Sequence, residues 1–352
     1  MVVYYMAIDL QNAKGTKDLL PEQAILKKFV EEKLVAMFEL HGFSPMETPI
    51  IEREEVLTAK YAGGTEILKE MFRLKDQGER NLALRYDLTV PLARFMGMNS
   101  SLKIPFKRYQ MGNVFRDGPV ASGRLREFTQ CDIDIIGASS MLAEAECISV
   151  AQQFFKALGL DVEIEINNRK VLDGIMESLE IQEEARNDVI IAIDKMKKIP
   201  LKEVEKEISE KGVPQGKIDA LLKTLEASKD NHEEIKRLRR IITSPRGIEG
   251  LNEIEELLGY VNPEGIVFSV SLARGLAYYT GTVYEAFHKN KVFTSALAAG
   301  GRYDEMINSF LGNPKGRSYP AVGISFGIDR ICFVLQQEFN FSKRTVADVF
   351  VI

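Results

Sequence analysis

The stretch EFTQCDIDIIG, residues 127–137, alternates polar and apolar side chains along most of its length. Successive side chains of a β-strand point to opposite faces, so this period predicts a strand with two different sides. Three polar residues share one side and three apolar residues the other: Gln130, Asp132 and Asp134 against Cys131, Ile133 and Ile135. Taken alone, the pattern fits a half-solvated strand as well as a binding surface.

A second predicted strand precedes the first, and the loop that joins them is rich in arginine. The strand FKRYQMGNVF spans residues 106–115, Arg116 follows it directly, and Arg124 and Arg126 lie in the loop. Guanidinium groups bind phosphate oxygens through paired, charge-assisted hydrogen bonds. The unit therefore indicates either a nucleotide clamp or a set of surface salt bridges.

The segment LALRYDLTV, residues 82–90, also alternates and is predicted to be a strand. The period aligns Arg85, Asp87 and Thr89 on one face. A carboxylate on such a face can hold an ammonium group. The segment is therefore a candidate for binding an amino group.

Two further arginines lie in unusual surroundings. Arg274, in LARGLAYYTG, is embedded among apolar and aromatic residues. Burying a guanidinium without an anion is costly, so Arg274 needs either a protein carboxylate or a bound phosphate. In GISFGIDR, Gly323 and Gly327 precede Arg330 at the predicted start of an apolar helix, from which a guanidinium can reach a cleft.

The remaining patterns divide the chain into β-rich and helical parts. Apolar residues recur at helical spacing over residues 21–41 and 141–158, and residues 169–260 are charged, helical and broken by prolines. This predicts an α+β protein with four parts: residues 1–168, a helical insertion 169–260, residues 261–340 where the sheet resumes, and a final segment 341–352. Within the insertion, a basic helix is either a nucleic-acid surface or an ordinary solvated face.

Composition bounds the function only loosely. A hydrophobic content of 45% and a charged content of 28% exclude a mainly disordered chain. The net charge of −5 means that any nucleic-acid contact must come from local basic surfaces. The three cysteines lack metal-ligand spacing, and no run of residues is apolar enough to span a bilayer, so we predict buried free thiols, no membrane association and a cytoplasmic location.

In this order, the segments resemble the histidyl-tRNA synthetases from Gly15 to Arg330, apart from the insertion. GFSPMETPIIE, FRDGPVASGRLREFTQCDIDIIG and AVGISFGIDR are similar to motifs 1, 2 and 3 of class II aminoacyl-tRNA synthetases. LARGLAYYTGTVYE and AAGGRYDEM are similar to the two histidine signatures, and LRYDLTVPLARF to the amino-acid-binding segment. The resemblance implies the class II fold, a mixed and mostly antiparallel sheet flanked by helices.

The resemblance also implies substrates and roles. The implied partners are histidine, ATP with Mg²⁺, tRNA(His) and a second copy of the chain. Pro49 of motif 1 would lie at the dimer interface. No metal site made by protein side chains alone is visible in the sequence. Arg116 and Arg274 would be catalytic, and the implied ATP-binding residues are Arg116, Arg124, Gly327 and Arg330. The implied histidine-binding residues are Asp87, Thr89, Gln130, Asp134, Arg274, Tyr278, Tyr279 and Tyr303.

The sequence departs from the family pattern at two positions. Ala277 stands where the signature commonly has aspartate, and Gly118 where many bacterial members carry glutamate. These losses keep open an alternative, the non-catalytic regulatory subunit of ATP phosphoribosyltransferase, which shares the fold. The retained arginines favour the enzyme. We expect residues 341–352 to be a linker and the first strand of a shortened anticodon-binding domain.

Overall fold

A computed structural model of the chain describes residues 10–59, 65–121, 123–197, 199–226, 230–274, 278–290, 294–311, 318–339 and 345–347. Its main sheet has eight strands in the order β1-β5-β6-β11-β10-β9-β7-β8. The pairs at the two ends, β1 with β5 and β7 with β8, are parallel, and the others are antiparallel. The strands are β1 Ser44–Pro45, β5 Phe106–Phe115, β6 Glu127–Ile136, β7 Val162–Asn168, β8 Ile266–Phe268, β9 Thr282–His288, β10 Ala298–Arg302 and β11 Ala321–Gly327.

A smaller antiparallel sheet stands beside the first, with strand order β2-β4-β3. Its strands are β2 Ile51–Arg53, β3 Arg73–Lys75 and β4 Asn81–Leu84. Three helices accompany it: α2 Glu54–Leu57, α3 Thr65–Lys69 and α4 Thr89–Met98. Glu70, which follows α3, accepts a backbone hydrogen bond from Asp117 in the loop that joins β5 to β6.

One face of the main sheet is covered by α1 Pro21–Leu40, α5 Leu142–Ala157 and α13 Ile328–Glu338. Helix α1 begins at Pro21, whose missing N–H costs nothing in a first turn, and buries one residue per turn. The residues that it buries are Leu26, Val30, Leu34 and Phe38. They join Cys131, Ile133 and Ile135 of β6 in one apolar cluster, so the apolar side of EFTQCDIDIIG faces the core as predicted.

Between β7 and β8 the described residues form helices and connecting loops, without a strand. The helices are α6 Arg169–Ser178, α7 Glu183–Ile193, α8 Leu201–Ser209, α9 Gln215–Thr224, α10 Asn231–Arg239 and α11 Pro245–Tyr260. Helices α6 and α11 cross closely, because a Cβ on Gly174 would lie 2.6 Å from the Cα of Gly247. Side chains of Asn168 and Ser244 cap these two helices. These helices fall within the range predicted for the insertion, and the division into domains stays a prediction.

The prediction for LALRYDLTV was wrong. Only residues up to Leu84 form a strand, and a helix, α4, begins at Thr89. The side chain of Asp87 accepts a hydrogen bond from the backbone N–H of Val90 at 3.0 Å, a local bond that favours a helix start over a continued strand. Arg85, Asp87 and Thr89 therefore do not share one face of a sheet.

The α+β prediction, with a mixed and mostly antiparallel sheet flanked by helices, is confirmed. Cys131 and Cys147 are buried free thiols, and Cys332 is a half-buried one. Within the residues described above, no helix combines the length and the apolar character that a membrane crossing requires. Most of the predicted strand at 344–352 falls outside the described residues.

Candidate active site

A pocket opens over β6, β10 and β11 on the side of the sheet away from α1. Nine residues predicted from the sequence line it: Asp87, Thr89, Arg116, Gln130, Asp134, Arg274, Tyr278, Tyr279 and Tyr303. They come from five separate stretches of chain. The remaining predicted residues, Arg124, Gly327 and Arg330, do not line this pocket.

Asp134 is a buried polar residue of the pocket. Its carboxylate accepts a short hydrogen bond from the hydroxyl of Tyr303 and pairs with Arg108, which is fully buried, at 2.6 Å. Burial raises the pKa of Asp134, and Arg108 and Tyr303 oppose that rise. On the neighbouring strand β11, Gly323 faces Asp134, and a side chain there would collide with the carboxylate. The glycine makes room for the acid.

Asp87 and Thr89 enter the pocket from the start of α4. Burial raises the pKa of Asp87 to about 6, while the bond from Val90 and the charge of Arg116 limit the rise. The carboxylate thus carries most of a negative charge at neutral pH. An ammonium group is the ligand that such a buried, ionised carboxylate favours.

Asp132 lines the same pocket, and the sequence analysis did not select it. It is buried, and its Oδ1 and the Oε1 of Gln130 have no hydrogen-bond partner among the described residues. Burial raises the pKa of Asp132 to about 7, with Arg108 opposing and Asp134 adding to the rise. The alternation of β6 was the available signal, since Asp132 shares its face with two residues that were selected. Arg108, also missed, is paired to β6 in register with Asp134.

Two arginines, Arg116 and Arg274, also line the pocket. The Nε of Arg116 donates to the backbone oxygen of Tyr86 at 3.0 Å, and its guanidinium lies 5.1 Å from the ring centre of Phe128. Burial lowers the pKa of Arg116, and the nearby Asp87 opposes this effect. Backbone and ring contacts thus fix the guanidinium while leaving its charge available to a ligand.

Arg274 is held by a carboxylate, one of the two partners that its sequence context allowed. Its Nη1 donates to Glu285 on β9 at 2.7 Å, and its guanidinium lies 5.4 Å from the ring centre of Tyr279. Burial disfavours the charged form, but Tyr279 and Glu285 outweigh it and raise the pKa of Arg274. Glu285 is therefore a positioning residue that the sequence analysis missed, and no local pattern marked it.

Two other predicted nucleotide-binding residues, Arg124 and Arg330, lie close enough to Arg116 and Arg274 to interact electrostatically. The Nη1 of Arg330 donates to the backbone oxygen of Ala296 at 2.8 Å. Burial lowers the pKa of Arg330, and the charges of Arg116, Arg274 and Arg124 lower it further, so the four guanidiniums are close enough to repel one another. Glu285 and Glu70 pair with Arg274 and Arg124, and a polyphosphate would supply further negative charge to this cluster.

The structure describes Gly327 and Gly118 but not Ala277, the other departure from the family pattern. Gly327 precedes α13, and its N–H donates to Leu297 at 2.9 Å. Gly118 is buried in the loop after Arg116. Ala277 lies outside the described residues. Arg126 pairs with Asp117 at 2.7 Å, so it braces the loop.

This arrangement suits a reaction between an amino acid and a nucleoside triphosphate. Carboxylates and an amide line the same pocket as the guanidiniums of Arg116 and Arg274. Fixed cations reduce the repulsion when a carboxylate attacks a phosphate, without reorganising during the step. A mostly antiparallel sheet with a pocket that is lined by both carboxylates and guanidiniums is the architecture of the class II aminoacyl-tRNA synthetases.

Comparison with known proteins narrows the class to one family. The sequence model of the histidyl-tRNA synthetase family matches residues 15–331. Histidine–tRNA ligase 1 of Bacillus cereus is 45% identical over 98% of this chain and 79% of its own length. The cytoplasmic histidine–tRNA ligase of Takifugu rubripes is 34% identical over 96% of this chain and 69% of its own length. The chain therefore belongs to the histidyl-tRNA synthetase family.

Solved structures agree with this assignment. The histidyl-tRNA synthetase of Nostoc sp. PCC 7120 superposes with a TM-score of 0.81 at 31% identity, covering 94% of this chain and 76% of that one. A Bacillus halodurans protein, titled an ATP phosphoribosyltransferase regulatory subunit/histidyl-tRNA synthetase, superposes with a TM-score of 0.79 at 23% identity, over 94% and 84% of the two chains. At that identity the second match shows the fold alone, so the ligase has more support than the regulator.

Proposed function

We propose that this chain uses ATP to activate histidine as histidyl-adenylate and then transfers the histidyl group to the 3′-terminal adenosine of tRNA(His). The observation that carries the proposal is that carboxylates and guanidiniums together line one pocket. An amino acid and a triphosphate require opposite charges for their recognition. The relatives support the same activity, because they are named histidine–tRNA ligases.

In the first step, the carboxylate of histidine attacks the α-phosphorus of ATP, and pyrophosphate leaves. Arg116 would contact the α-phosphate and the amino-acid carboxylate, bringing the two anions together. Arg274, already fixed by Glu285 at 2.7 Å, would stabilise the charge that develops as the bond to pyrophosphate breaks. Arg124 and Arg330 would contact the outer phosphates, with Gly327 beside the nucleotide.

Histidine would lie against the carboxylates of the pocket. Asp87 and Thr89, at the start of α4, would bind its ammonium group together with Gln130. Asp134 would read the imidazole with Tyr279, while Tyr278 and Tyr303 close the pocket around the ring. Buried acceptors of this kind reject amino acids that cannot donate to them, because each unmade hydrogen bond leaves a desolvated polar atom.

We also propose that Mg²⁺ accompanies ATP. No group of three histidine, cysteine or acidic side chains that could hold a metal converges among the described residues. Phosphate oxygens and water would therefore supply most of its ligands, which is how Mg²⁺ is commonly bound in nucleotide sites. The ion would neutralise phosphate charge that the guanidiniums do not reach.

A second copy of the chain is the proposed partner of the segment that contains Pro49. Ile50 and Ile51 follow it with 45% and 50% of their surface exposed, an unusual position for two adjacent isoleucines in a monomer. An isologous contact through this segment would cover them. Sedimentation at micromolar concentration should find a dimer. The cytoplasmic location, which rests on the sequence, stays a prediction.

Histidine-dependent exchange of labelled pyrophosphate into ATP tests the proposed function directly. The activation step is reversible, so an active chain should exchange label only when histidine is present. A regulatory subunit without catalysis would exchange none. Charging of tRNA(His) with labelled histidine then tests the second step.

A further inference from the structure

The side chain of Glu70, which follows α3, reaches into the loop between β5 and β6. Its Oε1 accepts a hydrogen bond from Nη2 of Arg124 at 2.6 Å. Arg124 has 52% of its side chain exposed, whereas Glu70 has only 22% exposed. The carboxylate of Glu70 is therefore the better-fixed member of this pair, and it holds the more exposed guanidinium of Arg124.

The carboxylate of Glu70 lies flat against Gly118. A Cβ placed on Gly118 would be 2.6 Å from both Cδ and Oε1 of Glu70, closer than real Cβ contacts. Any side chain at position 118 and the present position of the Glu70 carboxylate are thus mutually exclusive. The same oxygen of Glu70 is 2.6 Å from Arg124, so a glutamate side chain starting from position 118 would also reach that guanidinium.

The backbone secures the same junction. The N–H of Asp117 donates to the backbone oxygen of Glu70 at 2.7 Å. On the other side of the loop, Nε of Arg126 donates to the backbone oxygen of Gly118 at 3.2 Å. Removing only the charge of Glu70 would therefore leave the loop anchored, which separates its electrostatic role from a structural one.

We propose that Glu70 is a positioning residue for the nucleotide, which supplies from outside the loop the carboxylate that position 118 lacks. Glu70 holds Arg124 near the other guanidiniums and releases it to the outer phosphates when ATP binds. Gly118 is required because it leaves the space that the Glu70 carboxylate occupies. The inference rests on the proposed ATP-dependent activation of histidine.

The first test is Glu70→Gln, which keeps the shape and removes the charge. We expect the KM for ATP in pyrophosphate exchange to rise about tenfold, and the KM for histidine to stay within about twofold. Glu54→Gln is the matched control, because Glu54 forms a comparable half-exposed pair with Arg73 at 2.7 Å and does not contact the loop. A KM for ATP that is unchanged, or lower because a competing anion has gone, overturns the proposal.

The second test is reciprocal rescue between positions 70 and 118. Gly118→Glu and Glu70→Ala should each raise the KM for ATP, the first by displacing Glu70 and the second by freeing Arg124. The double variant should return to within about threefold of the parent, since one carboxylate again faces Arg124. Losses that simply multiply in the double variant would show that the two positions do not share one role.

Two controls separate this inference from the proposed function. Titration of ATP by calorimetry should show the same order of affinities as the KM values, independently of catalysis. Melting temperatures of the variants should match that of Glu54→Gln. If the parent exchanges no pyrophosphate, the proposed function fails; if the parent is active and the variants do not follow the pattern above, only the role of Glu70 fails.

Discussion

Two arginines of the candidate active site, Arg116 and Arg330, differ from those of the helical segment 169–260 in their partners. Arg116 and Arg330 are fixed by backbone oxygens, and no carboxylate pairs with either one among the described residues. In the helical segment, Arg237 pairs with Glu234, and Arg239 pairs with Glu255 at 2.8 Å. A carbonyl group orients a guanidinium but leaves its charge for a ligand, whereas a carboxylate cancels it. The kind of group that an arginine contacts therefore indicates its role better than the presence of the arginine in the sequence does.

Arg274 tests this contrast most severely, because it has a carboxylate partner and yet lines the pocket. We expect Arg274→Ala to lower kcat for pyrophosphate exchange by about 10²–10³-fold, the usual effect of losing one preorganised charge in a transition state. Histidine affinity, measured by calorimetry, should fall far less. A variant that melts earlier but exchanges normally would make Arg274 a structural residue like those of the helices.

Substituting a carboxylate of the pocket should instead change the affinity for histidine. Asp134→Asn keeps the shape and the contact with Arg108 but removes the charge, and we expect the KM for histidine to rise about 10²-fold. The KM for ATP should change little, because the proposed contacts of Asp134 are to the imidazole of histidine and not to the nucleotide. Unchanged histidine affinity would place Asp134 in the support of the pocket only.

The pKa of Asp87, about 6, predicts a pH dependence. The ionised carboxylate binds an ammonium group, so its contribution is complete above the pKa and is lost as the pH falls through it. Between pH 7 and pH 5 the advantage of the parent over Asp87→Asn in histidine affinity should shrink about tenfold. Titration of free histidine affects both proteins equally and cancels in the ratio. A constant ratio would contradict the assignment of the ammonium site.

The smallest effect is expected in the helical segment. Because Arg237 and Arg239 are already paired, replacing Arg237, Arg239 and Arg240 with glutamine should lower tRNA charging by about two- to threefold and leave pyrophosphate exchange unchanged. Charging by the parent and the variant should be compared across salt concentrations. A salt dependence that flattens by about one unit for each lost contact would show instead that these arginines bind phosphates.

Sequence reasoning succeeded where the determining interactions are local. Two-residue alternation along β6 decides which side chains face the core, and Gln130 and Asp134 consequently line the pocket. Long motifs in a given order also identify the family, because the order of motifs can be read from the chain without knowing which residues meet. The helix that follows LALRY was missed because a single bond from Val90 to Asp87 outweighed a nine-residue alternation.

What the chain order could not determine is which residues meet. Arg108 on β5 reaches Asp134 on the adjacent β6, and Glu285 on β9 reaches Arg274 in the connection between β8 and β9. Glu70 and Arg124 are separated by 54 residues and meet only through the packing of α3 against the loop between β5 and β6. The sequence by itself determined the chemical types available and the faces on which the strands present them. Only the tertiary structure decided the partners, because charge pairing depends on distances of a few ångströms that the folded backbone alone sets.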